Sequence, residues 1–247
     1  MTPLDLAAIA VAGLLAGTIN TIVGSGTLIS FPLLVALGVP PVTANASNSL
    51  GLVPGSISGA VGYRRRLTGQ RQLVTRLLPA SLGGAVIGAL LLLWLPKSAF
   101  EVIVPFLIAL AVVLVAVGPW LVRRAHLREH ARAPWLVPSI GVAGTYGGYF
   151  GAAQGVILLA LLGLSGSTDV QVDNAIKNVL AAAANAASAV VFALSGLVDW
   201  RIALVLAVSS TVGGQVGAVL GQRIPASALR ALIILIGTVA FVAMVWP

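Results

Sequence analysis

The sequence predicts an all-α polytopic membrane protein made of two homologous halves in an inverted-topology repeat, each with a broken re-entrant helix hairpin plus three spans. Three observations lead to this fold class. Apolar residues make up 59% of the chain and charged residues 8%, and the mean hydropathy of +1.07 is far above that of soluble domains. The chain also repeats itself, and its arginines cluster in loops predicted to lie on one side of a membrane.

The internal repeat relates residues 13–120 to residues 141–246. Asn48 and Asn178 are 130 residues apart, and other polar and glycine pairs recur at spacings of 127 to 130 residues. A period this long corresponds to half a protein rather than to a solenoid unit. We therefore predict a first transmembrane repeat at 1–122, a basic cytoplasmic linker at 123–134 and a second transmembrane repeat at 135–247.

Eight apolar segments reach the length of about 20 residues that a membrane span needs. Two of them, 4–38 and 135–164, are too long for one crossing, because at about 1.5 Å per residue the first would extend roughly 50 Å. We predict breaks at Gly24 to Gly26 and at Gly151 to Gly155, since glycine allows the backbone to turn. Broken helices at membrane depth line protein or a cavity. The other segments are 44–63, 73–95, 100–121, 172–194, 202–221 and 227–246.

Arginine placement sets the predicted orientation. Five arginines follow segment 44–63 and four lie in the linker, so both loops are predicted to be cytoplasmic. The triple arginine 64–66 is interpreted as a topology signal in preference to an anion gate. Loop 195–201 is the repeat mate of the first arginine loop, and its single acid and single base favour the outside. Equivalent loops then lie on opposite sides, which requires an inverted repeat with both termini outside. Eight full spans with parallel halves are the alternative.

Lys177 is the sharpest candidate for a functional residue, because it lies inside segment 172–194 between Asn174 and Asn178. An ammonium near mid-membrane costs roughly 2.5–3.5 kcal/mol on insertion scales, so it normally faces a cavity, a carboxylate or an anion. Asp173, four residues earlier, would explain the lysine as an i,i+4 pair without any ligand. Anion contact and structural pairing are both open at this point.

The first half carries a second polar cluster at the equivalent position. If the two polar helix starts meet at the midplane, helix N-termini and amide or hydroxyl groups bind an oxyanion at little desolvation cost. Thr27 and Gln154, just after the glycine breaks, would support this site from the hairpin tips. The predicted substrate-binding residues are Asn45, Ser47, Asn48, Thr27, Gln154, Asn174, Lys177 and Asn178, with hinges at Gly24, Gly26, Gly151 and Gly155.

The sequence contains no convincing catalytic or cofactor-binding constellation. The chain has no cysteine, which excludes thiolate metal sites. His126 to His130 matches the H-x-x-E-H zinc pattern, but it lies in a short arginine-rich linker without an evident third ligand. A P-loop, a nucleophile elbow and a dinucleotide fingerprint are absent. We therefore expect no enzyme, no metal and no cofactor, and we interpret the net charge of +8 as loop arginines rather than as nucleic-acid binding.

Short motifs in the same order as the repeat cover nearly the whole chain. They are Gly13 to Gly26, Ala44 to Leu50, Pro54 to Ser56 and Gly62 to Arg66 in the first half, and Asn174 to Asn178 and Ser195 to Arg201 in the second. Together they resemble the TauE/SafE family of sulfite exporters and permeases. The resemblance implies a bacterial-type carrier of small sulfur-containing anions in the inner membrane, and it fixes neither direction nor substrate. The glycine breaks depart from the family's run of glycines.

The sequence thus predicts a multi-pass secondary transporter of the cell inner (plasma) membrane, which moves a small oxyanion through a midplane site by alternating access. The expected partners are a small anionic substrate and membrane lipid, and glycines at four-residue spacing leave room for a homodimer. An anion channel and an intramembrane enzyme acting on a phospholipid-type substrate are the alternatives. The channel would show flux that does not saturate, and the enzyme would need a His, Ser or acid cluster.

Overall fold

The computed structural model describes residues 1–126, 134–165, 169–221 and 226–246, and over these residues it contains helices and turns but no strand. This confirms the predicted all-α class. The first half provides α1 to α5, with a one-turn 3₁₀ helix at Arg64–Leu67, and the second half provides α6 to α10. The helices are α1 (Pro3–Ile22), α2 (Thr27–Ala36), α3 (Pro41–Gly62), α4 (Arg71–Trp94), α5 (Lys97–His126), α6 (Leu136–Tyr149), α7 (Gln154–Leu164), α8 (Val170–Ser195), α9 (Trp200–Leu220) and α10 (Ala226–Val245).

Aspartate side chains fix where three helices begin. Thr2 and Asp5 form a reciprocal capping box at the start of α1. Asp169 and Asp199 precede α8 and α9, and each carboxylate accepts hydrogen bonds from backbone N–H groups of the first turn. Such caps satisfy N–H groups that lack intrahelical partners. Three of the six acidic residues in the chain are therefore committed to helix starts.

Both long apolar segments break where the sequence predicts. Between α1 and α2 the backbone turns at Gly24, which has a φ of +86°. Between α6 and α7 it turns at Gly151 and Ala153, with φ values of +77° and +60°. Glycine adopts this left-handed region without a Cβ clash, whereas alanine does so at a cost. Segments 4–38 and 135–164 are consequently helical hairpins, here called the first and second hairpin.

Among the described residues, six helices are long and apolar enough to cross a membrane: α1, α4, α5, α8, α9 and α10. The short second helices of the hairpins, α2 and α7, are apolar but have only 10 and 11 residues. Many large apolar side chains point outwards, including Leu194 and Phe106 at 85% and 69% exposure, as expected of a surface that faces lipid. The chain is a multi-pass membrane protein.

Six helices form two three-helix bundles that combine both halves. The first bundle contains α1, α3 and α9, and the second contains α6, α8 and α4. Glycines let the backbones approach closely, since a Cβ on Gly17 would lie 2.3 Å from the Ser210 carbonyl oxygen and one on Gly148 would lie 2.0 Å from that of Ala85. In the repeat, α6, α8 and α4 are equivalent to α1, α3 and α9, so each bundle takes two helices from one half and one from the other. The bundles meet where α3 packs on α8.

The contacts along α3 and α8 give the relative direction of the two halves. Near the start of α3, Ser47 contacts Asp199, which follows the end of α8. Further along α3, Ser56 contacts Asn185, and after its end Tyr63 packs with Ala175 near the start of α8. The two helices therefore run antiparallel, and the third helices of the two halves begin at opposite ends of the molecule.

The basic linker is only partly described. α5 continues to His126, beyond the predicted segment 100–121, and the Arg124 guanidinium lies 5.0 Å from the centre of the Trp120 ring in a cation–π contact. Residues 127–133, with most of the H-x-x-E-H pattern, lie outside the described residues. Residues 166–168, 222–225 and 247 do as well, so the loop that carries Arg223 has no structural account.

Candidate functional site

The two hairpins touch at their tips. The N–H of Gly155, in the first turn of α7, donates a hydrogen bond to the carbonyl oxygen of Gly24, 3.0 Å away. A Cβ added at either glycine would lie 2.4 Å from the Cα of the other, which is closer than carbon atoms approach without overlap. The contact between the halves at this point therefore depends on both residues being glycine.

Two helices begin at this contact, and several backbone N–H groups just before them, or at their first residue, donate no hydrogen bond within the described part of the chain. Neither Gly26 before α2 nor Ala153 before α7 caps its helix with a side chain. Within the described residues, no hydrogen-bond acceptor lies on the N–H groups of Ser25, Gly26 and Thr27, or on those of Ala152 and Ala153. Helix N-termini carry partial positive charge and bind anions through such N–H groups. The hairpin tips thus offer several hydrogen-bond donors.

Two hydroxyl groups lie at the start of α2. Ser25 is fully buried, and its Oγ has no hydrogen-bond partner among the described residues. Thr27 accepts a hydrogen bond on Oγ1 from Nδ2 of Asn48 at 3.3 Å, which leaves the hydroxyl proton free to donate. A buried hydroxyl without a partner is costly in an apolar interior. An oxyanion between the tips would satisfy both hydroxyl protons.

Lys177 lies at the end of α1. Its Nζ donates to the carbonyl oxygens of Asn20 and Thr21, both at 3.1 Å, and the side chain is fully buried. Asn174 and Asn178 also donate, through Nδ2, to the Thr21 oxygen at 3.3 Å each. The end of α1 leaves these carbonyl groups without intrahelical partners, and a cation suits the negative end of the helix dipole. We call these five residues the α1-end cluster.

A second cluster lies where the end of α6 meets α2 and α3, and we call it the α6-end cluster. Its members are Asn45, Asn48, Thr27, Ser30 and Tyr149. Asn45 donates through Nδ2 to the carbonyl oxygen of Tyr149 at 2.9 Å, while its own Oδ1 has no partner among the described residues. Asn48 bridges to α2, donating to Thr27 and accepting from the Ser30 hydroxyl. The third helix of each half therefore caps the broken first helix of the other half.

The structure separates residues that the sequence predicts to meet. Lys177 contacts Thr21, and Thr21 packs against Gly59 of α3. Asn48 lies on the same helix eleven residues before Gly59, a distance of about 16 Å at 1.5 Å per residue. Because α3 and α8 are antiparallel, their polar starts lie on opposite sides of the hairpin contact. Six of the eight predicted site residues thus form one cluster on either side of the tips instead of a single midplane group.

Two other predicted site residues face neighbouring helices. The Ser47 hydroxyl accepts a hydrogen bond from the backbone N–H of Asp199 at 2.8 Å, at the start of α9. Gln154 is the first residue of α7, but its Nε2 donates back to the Ala143 carbonyl oxygen at 3.3 Å and its amide packs on Gly147. Ser47 thus fixes a helix end, and Gln154 braces the second hairpin.

Several polar residues at the centre were not predicted as site residues. Asn20 and Asn185 each donate to the Ser56 hydroxyl at 3.1 Å, linking α1, α3 and α8. Ser25 lies inside the predicted Gly-Ser-Gly break, and a hydroxyl beside a helix start was the signal available for it. The Ser56 link depends on three helices far apart in sequence, so no local pattern indicates it.

Aromatic rings close the molecule beside the α6-end cluster. Phe31 of α2 packs edge to face against Phe100 of α5 and Phe150 of the second hairpin, with ring centres 6.5 Å and 5.1 Å apart. Tyr149 adds a contact to Phe100 at 5.7 Å. The three phenylalanines are almost fully buried. Beside the α1-end cluster, by contrast, the buried aromatic side chain in the described part of the chain is that of Tyr63.

The described residues contain no group of three or more His, Cys, Asp or Glu side chains that is suited to hold a metal ion. The donors gathered at the hairpin tips are N–H and O–H groups, which suit an anion rather than a cation. Donors of this kind are chemically suited to oxygen atoms that carry negative charge.

Comparison with known proteins gives one family and several relatives. The family described as "Sulfite exporter TauE/SafE" matches residues 9–244. The chain is 30% identical over 240 residues to "Probable membrane transporter protein ORF9" of Sinorhizobium sp, covering 94% of this chain and 88% of the relative. It is 28% identical over 244 residues to "Probable membrane transporter protein YfcA" of Escherichia coli K12, with 97% and 89% covered. A "Probable membrane transporter protein" of Haemophilus influenzae is 28% identical over 242 residues, with 95% and 92% covered. No solved structure matches.

Proposed function

This chain belongs to the TauE/SafE family of membrane transporters, and from that premise we propose that it carries a small sulfur-containing oxyanion, such as sulfite, an organosulfonate or a sulfoacetate-like anion. The name of the family supports the sulfur oxyanion, while the relatives' names say only that they are membrane transporters. We place the carrier in the cell inner membrane, with its arginine-rich loops in the cytoplasm.

The observation that carries this proposal is the meeting of two uncapped helix starts at the Gly24–Gly155 contact. A sulfite or sulfonate group presents three oxygens that share negative charge. The free N–H groups of residues 25–27 and 152–153 and the hydroxyls of Ser25 and Thr27 would donate to them. The two flanking clusters hold the ends of α1 and α6, and they would keep these donors close to the Gly24–Gly155 contact.

We further propose that transport proceeds by alternating access between inverted repeats. The antiparallel α3 and α8, and the exchange of halves between the two bundles, support this arrangement. Each bundle contains one broken first helix, so rocking the bundles against each other would expose the hairpin tips first on one side and then on the other. During this motion the two helix starts would remain in contact with the anion. The residues that close the site on each side would open in turn.

The first experiment measures uptake of labelled sulfite and of labelled methanesulfonate into proteoliposomes that contain the native chain. A carrier gives saturable uptake that accelerates when unlabelled substrate is present on the opposite side. Uptake that rises linearly with concentration and shows no exchange acceleration would indicate an anion channel instead. If the native chain moves neither anion, the proposed substrate class is wrong. Liberation of phosphate or headgroup from the lipid would point to the intramembrane enzyme.

A further inference from the structure

A pocket of about 440 Å³ lies where the arginine-bearing end of α3 meets the end of α9. Its lining includes Tyr63, the three consecutive arginines 64–66, Gln215 and Ala218, so it combines residues from both halves. The one-turn helix Arg64–Leu67 holds the arginines at its rim. Positive loops are expected on the cytoplasmic side of any membrane protein, but that rule does not require a cavity among them.

The positive charge of this pocket is only partly compensated. Arg66 approaches Asp169 at 3.9 Å, and both side chains are 49% exposed, so the pair is weak. Arg64 donates to the Val61 carbonyl oxygen at 3.3 Å, and within the described residues no carboxylate pairs with Arg64 or Arg65. Guanidinium groups that face a cavity without an acid partner are the usual receptors for oxyanions.

Tyr63 forms the floor between this pocket and the α1-end cluster. It is 3% exposed, and it packs with Ala175 and Ala218. Its hydroxyl lies next to Asn174, and a Cβ on Gly221 would come within 3.2 Å of it. A phenol is protonated at neutral pH, so this hydroxyl can donate a hydrogen bond. One aromatic ring thus separates the arginines from Asn174, which belongs to the α1-end cluster.

The two sides of the molecule differ in how firmly they are closed. Three buried phenylalanines and Tyr149 pack together beside the α6-end cluster. Beside the α1-end cluster the pocket reaches down to Tyr63. If the anion crosses on the arginine side, it passes through this pocket. Tyr63 is then the side chain that must move to let it through.

We propose that the pocket formed by Tyr63, Arg64, Arg65, Arg66 and Gln215 is a cytoplasmic binding site for an oxyanion, and that Tyr63 closes it from the α1-end cluster. The inference rests on the proposed function, because it gives the transported anion a second, peripheral site. A free oxyanion and the phosphate of a lipid headgroup share the chemistry that such arginines recognise. The experiment therefore has an arm for each source.

The test uses the absence of cysteine in the natural chain. Gln215→Cys is reacted in purified full-length chain with an anionic and a cationic methanethiosulfonate reagent, and Thr68→Cys, on the same loop but outside the pocket, serves as the control. We expect the anionic reagent to react at least about ten times faster than the cationic one at position 215, relative to position 68, because local positive potential concentrates anions. Arg64→Gln with Arg65→Gln removes the preference, whereas Arg71→Gln with Arg76→Gln, an equal charge change outside the pocket, keeps it.

Protection of the cysteine at position 215 from labelling identifies the molecule that occupies the pocket. In neutral phosphatidylcholine, methanesulfonate slows labelling of the cysteine at position 215 if the site takes a free oxyanion. If the site takes a lipid headgroup, addition of phosphatidylglycerol slows labelling and methanesulfonate does not. Equal reaction of both reagents, without protection by either, overturns the proposal. Because uptake is measured separately, a chain that transports sulfite but shows no protection keeps its proposed function and loses this site.

The closing role of Tyr63 has its own readout. In an Asn174→Cys background, Tyr63→Ala is expected to raise the labelling rate from the arginine side by at least about tenfold, since it removes the ring that buries position 174. Tyr63→Phe is the matched control, because it keeps the ring and removes only the hydroxyl. An unchanged rate in a Tyr63→Ala chain that retains its native unfolding temperature would show that Tyr63 does not close the pocket.

Discussion

Lys177 illustrates how far a single residue can be interpreted from sequence. Its position inside a long apolar segment predicts burial, and the structure confirms that the side chain is fully buried. The choice between an anion and the buried Asp173 as its partner stayed open, and the structure shows a third kind of partner, the end carbonyls of α1. That contact could not be predicted, because it joins residues more than 150 positions apart through the packing of two helices.

Replacing Lys177 by methionine should destabilise the chain more than it weakens substrate binding. The Asn20 carbonyl oxygen would lose its donor in an apolar environment, which costs about 1–3 kcal/mol. We expect a lower unfolding temperature in detergent, while Arg76→Met, at an exposed cationic position of α4, leaves it unchanged. A native unfolding temperature together with a strongly raised KM for sulfite would show instead that Lys177 binds the anion directly.

Ser25→Ala should have the opposite effect, because it should weaken substrate binding more than it destabilises the chain. The Ser25 hydroxyl has no partner in the described structure, so its removal costs no internal hydrogen bond. A hydrogen bond to a charged ligand contributes about 1.5–3 kcal/mol, so we expect KM for sulfite to rise by about 10- to 100-fold. Ser188→Ala is the matched control, since that buried hydroxyl bonds within its own helix. Equal KM values for the two variants would remove Ser25 from the site.

At the scale of elements, the sequence predicts breaks better than it predicts contacts. A segment too long for one crossing, interrupted by glycines, identified both hairpins because bilayer thickness and glycine's backbone freedom are local constraints. The Gly24–Gly155 contact, by contrast, is not set by a local constraint. It depends on where each hairpin is held, and the capping residues Asn45 and Asn174 act on the helix of the other half.

The tip contact can be tested with a pair of glycine variants. Gly155 is helical, and its added Cβ would lie 2.4 Å from the Cα of Gly24. Gly155→Ala should therefore push the hairpins apart, at a cost of about 1–3 kcal/mol, and abolish sulfite uptake. Gly83→Ala changes another helical glycine that has nothing within 4 Å, so we expect it to be neutral or stabilising by about 0.5–1 kcal/mol. Native uptake by the first variant would show that tip contact is dispensable.

For the whole molecule, the arrangement of the halves predicts which loops share a side of the membrane. Residue 68 lies in the loop after α3, and residue 195 is the last residue of α8, at the start of the equivalent loop in the repeat. Inverted halves place them on opposite sides, whereas parallel halves place both on one side. We expect an impermeant maleimide to label Ser195→Cys in intact cells, and to label Thr68→Cys only after the membrane is opened. Labelling of both variants in intact cells would favour the parallel alternative.

Alternating access requires that the two bundles move against each other while each bundle stays intact. Asn45 on α3 and Tyr149 at the end of α6 belong to different bundles and are in contact. A disulfide between Asn45→Cys and Tyr149→Cys should hold that side closed and stop sulfite exchange until a reductant is added. Ser47→Cys with Asp199→Cys joins α3 to the start of α9, within the first bundle and at a similar position along α3. Its oxidation should leave exchange intact. If both cross-links block exchange equally, the bundles are not the moving bodies, and motion of the hairpins alone would have to carry the anion across.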